Sequence, residues 1–221
     1  MKKQSIKKYT VLIGILFLFP LSWLLFFGVF SKHSFNTLPY LNYQVVGQDS
    51  IPEVLPTFQL IDQEGLAFHS DSLKGNVWLA AFYGTNNPYV AKITKRLLWP
   101  NFRYREEEDI RLVSFSMDTE HDQPEVLKKY VDDATKYHRF EHQWHFLTGN
   151  QQAIIELLQQ GFKQHDTENT SAVFLVDDKG HVRGRYDGNR EDEIKNAIED
   201  IALLKKELDI IEHERRKSLE K

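Results

Sequence analysis

The stretch that decides the fold is Val77–Tyr83, VWLAAFY, followed by Gly84–Lys92, GTNNPYVAK. All seven residues of the first part are apolar, which is typical of a strand buried on both faces of a sheet. Glycine and asparagine then end the strand, and apolar residues recur at helical spacing, so a helix is predicted to begin near Pro88. Open α/β sheets place their ligand sites where a central strand delivers its carboxyl end to a helix. The turn after Tyr83 is therefore the first candidate for a functional site.

The rest of the chain alternates between predicted strands and helices. Strands are predicted at Tyr43–Val46, Thr57–Leu60, Leu66–Phe68, Ile110–Met117, Trp144–Gly149 and Ala172–Val176, and the last of these is followed by a turn and a return strand at His181–Tyr186. Helices are predicted from Pro88 to about Arg96 (before Pro100), after Asp122, at Gln152–Gln160 and after Asn189. This order predicts an α/β sandwich in which helices flank a mixed sheet of about five strands.

The composition restricts the chemistry of this 221-residue chain, which contains no cysteine. Disulfides, thiolate nucleophiles and thiolate metal ligands are therefore excluded. Four lysines precede Tyr9, so the formal net charge of −4 for the whole chain becomes −8 for the remainder. Because an acidic domain binds nucleic acid poorly, we expect no nucleic-acid partner.

The apolar segment Tyr9–Phe30 predicts a membrane anchor, because it carries no charged residue. At about 1.5 Å per residue it would span roughly 33 Å, enough for a hydrocarbon core of about 30 Å. The lysines before it, with only Lys32 close behind, predict a cytoplasmic amino terminus and an extracytoplasmic domain, in bacteria a periplasmic one. A cleaved signal peptide is the competing interpretation, but Phe26–Ser31 offers no good small-x-small cleavage site.

These observations predict five segments: a cytoplasmic tail at 1–8, an anchor at 9–30, a linker at 31–55, the α/β domain at 56–204 and a charged helical extension at 205–221. In the last helix apolar residues recur at alternating spacings of three and four, at Ile194, Ala197, Ile201, Leu204, Leu208 and Ile211. Such a seam indicates either a helix whose first half packs on the sheet or a helical contact with another chain. The second interpretation is self-association through Ile201, Leu204, Leu208 and Ile211.

Several stretches resemble a known family. Phe58–Gly65, Leu73–Gly75 and Val77–Phe82 are similar to thioredoxin-fold proteins in general, peroxiredoxins included. The more specific stretches are Leu112–Tyr130, Trp144–Gly149 and Phe174–Asp177 with Gly184–Gly188. Together they resemble the SCO/SenC family over about residues 56–204. The resemblance implies a thioredoxin-like sandwich on a single amino-terminal membrane helix.

Members of that family typically bind copper through a Cys-x-x-x-Cys pair after the core strand and a distant histidine. They help to assemble cytochrome c oxidase or act as thiol oxidoreductases. The resemblance places the two cysteine positions at Asn87 and Ala91, and the histidine position near Asn169. Cu(I) requires soft thiolate or thioether ligands, and thiol exchange requires a thiolate.

We therefore expect a degenerate site with no cofactor and no thiol-based catalysis. The chain would be an accessory protein in oxidase assembly or copper delivery, and its partner a respiratory oxidase subunit or another SCO-type protein. A peroxiredoxin-type enzyme is excluded by the missing cysteine nucleophile.

Three histidines offer an alternative metal site, and with it the rival function of a copper carrier. His138, His142 and His145 lie close together, and the first two would share one face of a helix. Imidazole binds Cu(II) and Zn(II), so a displaced site could form there. The other interpretation is that these are solvated surface histidines.

Three carboxylates, Asp118, Glu120 and Asp122, follow the core strand at Ile110–Met117. Paired carboxylates can act as general acid and base. However, Asp122 is also explained as the N-cap of the helix that contains Pro124 in its first turn. We therefore expect no catalytic residue in this cluster.

Overall fold

The computed structural model describes residues 37–87, 90–135, 143–167 and 171–219. The strands are β1 (Tyr43–Val46), β2 (Asp49–Pro52), β3 (Gln59–Ile61), β4 (Ala67–His69), β5 (Val77–Tyr83), β6 (Ile110–Ser116), β7 (Trp144–Leu147), β8 (Ala172–Val176) and β9 (Val182–Asp187). The helices are α1 (Val90–Arg103), α2 (Pro124–Thr135), α3 (Gln151–Glu156) with a π-turn at Leu157–Gly161, and α4 (Glu191–Leu219). The predicted anchor at 9–30 lies outside these residues, and no helix among the described ones is long and apolar enough to cross a membrane.

A five-stranded mixed sheet forms the centre of the domain, in the order β7-β6-β5-β8-β9. Strands β5, β6 and β7 are mutually parallel, whereas β8 and β9 are antiparallel to their neighbours. All seven residues of β5 are buried. The predicted α/β architecture with a mixed central sheet and flanking helices is confirmed.

Two hydrophobic layers explain why β5 has no polar residue. Alternate residues from Val77 to Tyr83 pack with α1, α2 and α4 on one face of the sheet. Those between them, Trp78, Ala80 and Phe82, pack with the β3–β4 hairpin and α3 on the other. Burying a large apolar side chain stabilises a fold by about 1.5–3 kcal/mol. In a strand covered on both faces, an apolar side chain at any position therefore contributes to stability.

Helix α1 is longer than the sequence pattern predicted, because it continues through Pro100 to Arg103. The prediction that it ends near Arg96 was wrong. Proline removes the hydrogen bond that an N–H would have donated and crowds the carbonyl four residues earlier, and tertiary packing can offset these costs. Ile93 and Leu97 are buried against the sheet, and Pro100 is buried as well.

Helix α4 packs its first half on the sheet. Ile201 and Leu204 are fully buried in the core of their own chain, so they are unavailable to a partner, and their assignment to a self-association seam was wrong. Leu208 is half-buried and packs against the same core, whereas Ile211 is 46% exposed. A contact between chains through the exposed end of α4 stays a prediction.

The described part of the predicted linker, residues 37–55, contacts the domain. Strands β1 and β2 pair as an antiparallel hairpin, which confirms the predicted strand at Tyr43–Val46. The Leu41 N–H donates to the Val182 carbonyl at 2.9 Å, and the Asn42 side chain donates to the Gly161 carbonyl at 2.7 Å. The chain that leads into the domain is thus attached to it along β9 and the end of α3.

A buried arginine joins this leading segment to the carboxyl-terminal helix. The Arg183 side chain is 1% exposed, and its guanidinium donates to Asp177 at 3.1 Å and to both Glu207 oxygens at 2.8 and 2.9 Å. It also donates to the Leu38 carbonyl at 2.6 Å, and it lies 4.2 Å from the centre of the Tyr40 ring. Buried charges need partners of this kind. We call these five residues the Arg183 cluster.

Candidate functional site

The candidate site is the turn between β5 and α1. The Asn87 N–H donates to the Gly84 carbonyl at 3.1 Å, and the Val90 N–H donates to the Asn87 carbonyl at 3.0 Å. These bonds form the predicted sequence of strand, turn and helix. Asn87 is half-buried in the turn, and Ala91 is exposed in the first turn of α1.

A buried carboxylate holds this turn. The Asp122 side chain is 0% exposed, and it accepts hydrogen bonds from the Thr85 N–H at 2.9 Å, from the Thr85 hydroxyl and from the Ser116 hydroxyl at 2.6 Å. Nδ1 of His121 lies 2.8 Å from the same carboxylate. The prediction that Asp122 caps α2 was wrong, because α2 begins at Pro124 and the carboxylate is occupied by the turn. Asp122 therefore fixes the turn onto the end of β6.

A second carboxylate contacts the turn one residue further along. The Asn86 side-chain amide donates to Asp118 at 2.5 Å, and the Asp118 N–H donates to the Ser116 hydroxyl at 3.1 Å. A Cβ atom on Gly84 would lie 3.1 Å from the Asp118 Cβ, so the two strand ends approach closely there. Asp118 and Asp122 thus serve as hydrogen-bond acceptors for the turn, while Glu120 is exposed.

Protonation near the turn follows from burial and hydrogen bonding. The hydrogen bond to Asp122 raises the pKa of His121, which is half exposed. Burial raises the pKa of Tyr83, the last residue of β5. Its hydroxyl lies 2.7 Å from the Ser114 hydroxyl on β6. Trp144 donates to the same Ser114 hydroxyl at 2.9 Å. Beneath the turn the structure thus holds a neutral phenol and a hydroxyl, which are poor ligands for a soft metal.

The third position implied by the family resemblance is Asn169, which lies outside the described residues. Strand β8 runs antiparallel to β5 with Ala81 opposite Val173, so the chain before Ala172 reaches the edge where β5 ends. The topology therefore places Ser171, the described residue directly before β8, at the edge of the sheet where β5 ends. The role of Asn169 itself stays a prediction.

The alternative histidine site is described only in part, because His138 and His142 lie outside the described residues. His145 lies on β7 opposite Val113, two strands away from β5, and its ring centre is 4.7 Å from that of Phe68. Within the four described ranges, no group of three or more histidine, cysteine, aspartate or glutamate side chains could hold a metal ion. A displaced metal site at the three histidines stays a prediction.

A mixed five-stranded sheet with a turn-to-helix site at the end of its central strand defines a thioredoxin-like α/β protein. The family model described as SCO1/SenC matches residues 47–205, and the chain belongs to this family. The SCO1 protein homolog of Bacillus subtilis (strain 168) is 35% identical over 167 residues, which cover 67% of this chain and 81% of the relative.

Solved structures support the same assignment. A SCO1/SenC family lipoprotein from Bacillus anthracis str. Ames has a TM-score of 0.61 and 28% identity, with 70% of this chain and 96% of that chain covered. BsSco, described as a member of the Sco family of cytochrome c oxidase assembly proteins and as containing a disulfide switch, has a TM-score of 0.56 and 30% identity. That match covers 69% of this chain and 95% of BsSco.

Sequence reasoning missed the function of Thr85 and Asp122 as the anchor of the turn. A signal was present, because Thr85 follows β5 closely and Ser116 is the last residue of β6, so both are short polar residues at strand ends. Parallel neighbouring strands end at the same edge of a sheet, so Thr85 and Ser116 are expected to lie close together. The capping preference of aspartate suggested a local partner instead.

Proposed function

We propose that this chain is an accessory SCO1/SenC protein that acts in respiratory oxidase assembly or copper delivery without its own thiol redox or cysteine-based copper site. The observation that carries the proposal is that Asn87 and Ala91, the residues to which the family resemblance assigns the two cysteine positions, flank the join between the turn and α1. The carboxamide of Asn87 is a hard, neutral ligand, and Ala91 provides only a methyl group. Neither side chain can bind Cu(I) or attack a disulfide.

The hydrogen bonds that hold the turn support this proposal. They run from Thr85 and Asn86 to Asp122 and Asp118, and they use no cysteine. These bonds hold the turn without any contribution from the side chains at positions 87 and 91. Such a domain can still present the surface by which a family member meets its partners. We propose a respiratory oxidase subunit or another SCO-type protein as the partner.

The location follows from the sequence outside the described residues. We propose that 9–30 anchors the chain in the membrane, with residues 1–8 in the cytoplasm and the domain outside it. BsSco is described as a member of a family of cytochrome c oxidase assembly proteins, and we propose that the partner of this chain lies in the same membrane as the anchor. An anchored accessory protein would therefore meet its partner without diffusing in three dimensions.

Copper titration tests the site directly. The full chain, purified in mild detergent, is titrated with Cu(I) in competition with a chromogenic chelator. We expect no binding tighter than about 1 μM, since thiolate and thioether ligands are missing. The variant Asn87→Cys/Ala91→Cys/Asn169→His should bind at least about 1,000-fold more tightly, because two thiolates and an imidazole would then share one site.

The variant Asn87→Ser/Ala91→Ser is the matched control, because it changes the same turn without adding sulfur. Submicromolar Cu(I) binding by the unchanged chain would contradict the proposal. If that binding disappeared in the His138→Ala/His142→Ala/His145→Ala variant, the histidine-based copper carrier would be the function instead. In a strain lacking the gene, the same triple alanine variant should restore oxidase assembly as well as the unchanged chain.

A further inference from the structure

One side of α1 combines basic and aromatic residues, all of them exposed except the half-buried Arg96. They recur at spacings of three and four and therefore share one side of the helix, opposite the buried residues Ile93 and Leu97. These residues, called the α1 face, are Lys92, Lys95, Arg96, Trp99, Phe102 and Arg103. Trp99 is 48% exposed and Phe102 is 51% exposed. Two large aromatic residues half exposed on one helix indicate an interaction surface.

Two surface hollows meet at Trp99. The first is lined by Trp99 together with Lys92, Lys95, Arg96 and Glu191. The second is lined by Trp99 together with Phe102, Arg103, Arg105, Lys195, Ile198 and Glu199. Cations lie against both aromatic rings, with Lys195 Nζ 5.3 Å from the Trp99 ring centre and the Arg105 guanidinium carbon 4.4 Å from that of Phe102.

This surface is positively charged, whereas the chain as a whole is negatively charged. Six basic side chains and two glutamates line the two hollows, whereas the formal net charge of the whole chain is −4. Glu191 is paired with Lys195 at 2.9 Å, and the hydrogen bond from Lys195 lowers the pKa of Glu191. The cations along α1 outnumber these carboxylates, so the surface is complementary to an anionic partner.

We propose that the α1 face rests on the anionic headgroup surface of a phospholipid bilayer, with Trp99 and Phe102 in the interfacial layer. The inference rests on the proposed membrane anchor. Tryptophan is enriched at membrane interfaces, and basic residues on a helix attract anionic headgroups. An anchored domain is held beside the bilayer at high effective concentration, so the four cations of the α1 face suffice even if its affinity is modest.

This orientation has a consequence for the candidate site. Ala91 directly precedes Lys92, so the turn at Asn87 lies at one end of the α1 face. A domain that lies on this face holds the turn beside the headgroups. A partner that reaches the turn must then also sit at the membrane surface, which is where a subunit of a membrane complex is found.

The chain contains no cysteine, so a single introduced cysteine can be spin-labelled specifically. The full chain is placed in nanodiscs of phosphatidylcholine with about 30% phosphatidylglycerol, and a nitroxide is attached to the variant Phe102→Cys. We expect the label to be shielded from a water-soluble nickel relaxant. The control label at Leu66→Cys, on the exposed β3–β4 turn in the opposite layer of the domain, should stay accessible.

The shielding should be lost in pure phosphatidylcholine nanodiscs and in about 1 M salt, where the Debye length falls to about 3 Å. It should also be lost in the Lys92→Glu/Lys95→Glu variant, whose changes lie on the exposed side of α1 and do not touch the core. A label at Phe102→Cys that is equally accessible in anionic and neutral nanodiscs would overturn the inference. Shielding that appears only when an acidic protein is added would assign the α1 face to a protein partner and would overturn it too.

The anchor proposal is tested separately, by whether the chain co-elutes with the nanodiscs. If it does not, the anchor proposal is wrong, and sedimentation with preformed vesicles of the same composition still tests the α1 face. The unchanged chain should then partition into the vesicles at least about 10-fold more strongly than the Lys92→Glu/Lys95→Glu variant. Equal partitioning of the two chains would refute the lipid assignment.

Discussion

Replacing Arg183 by methionine is expected to destabilise the domain by about 3 kcal/mol. Methionine fills much of the same volume but leaves Asp177 and Glu207 without their cation. Removing one partner of a buried ion pair costs about 3–5 kcal/mol, mainly because the remaining charge stays buried. The loss includes bonds of 3.1 Å to Asp177 and of 2.8 and 2.9 Å to Glu207.

The lower end of this range applies because both carboxylates keep other donors. Asp177 still accepts the N–H groups of Lys179 at 3.0 Å and His181 at 2.9 Å. Glu207 still accepts the Leu38 N–H at 3.3 Å, and 11% of its side chain reaches solvent. Water and these donors therefore offset part of the cost of leaving the two carboxylates without a cation.

Urea unfolding of residues 37–221, followed by tryptophan fluorescence, measures the effect. With a slope of about 2 kcal/mol per molar urea, the midpoint should fall by about 1.5 M. The control Arg185→Met removes the same residue type from the same strand. Arg185 is exposed and donates to Gln164 at 2.9 Å, so its loss should cost no more than about 0.5 kcal/mol.

Two results would refute this reasoning about the Arg183 cluster. One is a loss below about 1 kcal/mol for Arg183→Met, and the other is a loss no larger than that of the Arg185→Met control. The variant Arg183→Met/Glu207→Gln should be more stable than Arg183→Met alone, because a neutral amide no longer needs a cation. A further loss in the double variant would show that Glu207 contributes in another way.

Two further predictions concern the turn and the antiparallel edge. The pKa of His121 is raised in the folded state, so protonation of its ring stabilises the fold through the bond to Asp122. This stabilisation is complete below about pH 6.5, the pKa of an unfolded histidine, and it is lost as the pH rises through the folded-state pKa. The urea midpoint of His121→Gln should thus lie furthest below that of the unchanged chain at pH 5.5 and approach it at pH 9; a pH-independent difference would contradict this. The new methyl group of Gly184→Ala would collide with the Tyr186 hydroxyl, which donates to Asp200 at 2.7 Å. Urea unfolding should show a loss of about 1–3 kcal/mol, whereas unchanged stability would show that the tyrosine can move aside freely.

The sequence predicted the core strands because their pattern was continuous over many residues. The seven apolar residues of β5 specified a strand covered on both faces, and the structure places helices on one face and a hairpin with α3 on the other. The alternation of strands with helices likewise specified an α/β domain, and the hairpin near its end specified a mixed sheet. These signals are local, and tertiary packing reinforces them.

The errors have a common cause, which is that a residue's partner can be distant in sequence. Asp122 was assigned to the nearest helix, but its partner Thr85 comes 37 residues earlier. Ile201 and Leu204 have a spacing that suits either a partner chain or the sheet, and only the fold decides between them. The buried position of Arg183 was not predicted either, because an arginine on a strand near a turn indicates solvent exposure.

The hydrogen bonds between the turn and the segment after β6 have an evolutionary consequence. They hold Thr85 and Asn86, which directly precede position 87, against two aspartates, and they use no side-chain atom of residue 87 or 91. Substitutions there can change the chemistry of the domain without unfolding it. A lineage can therefore discard a metal centre, or regain one, in a few codon changes while the surrounding architecture persists.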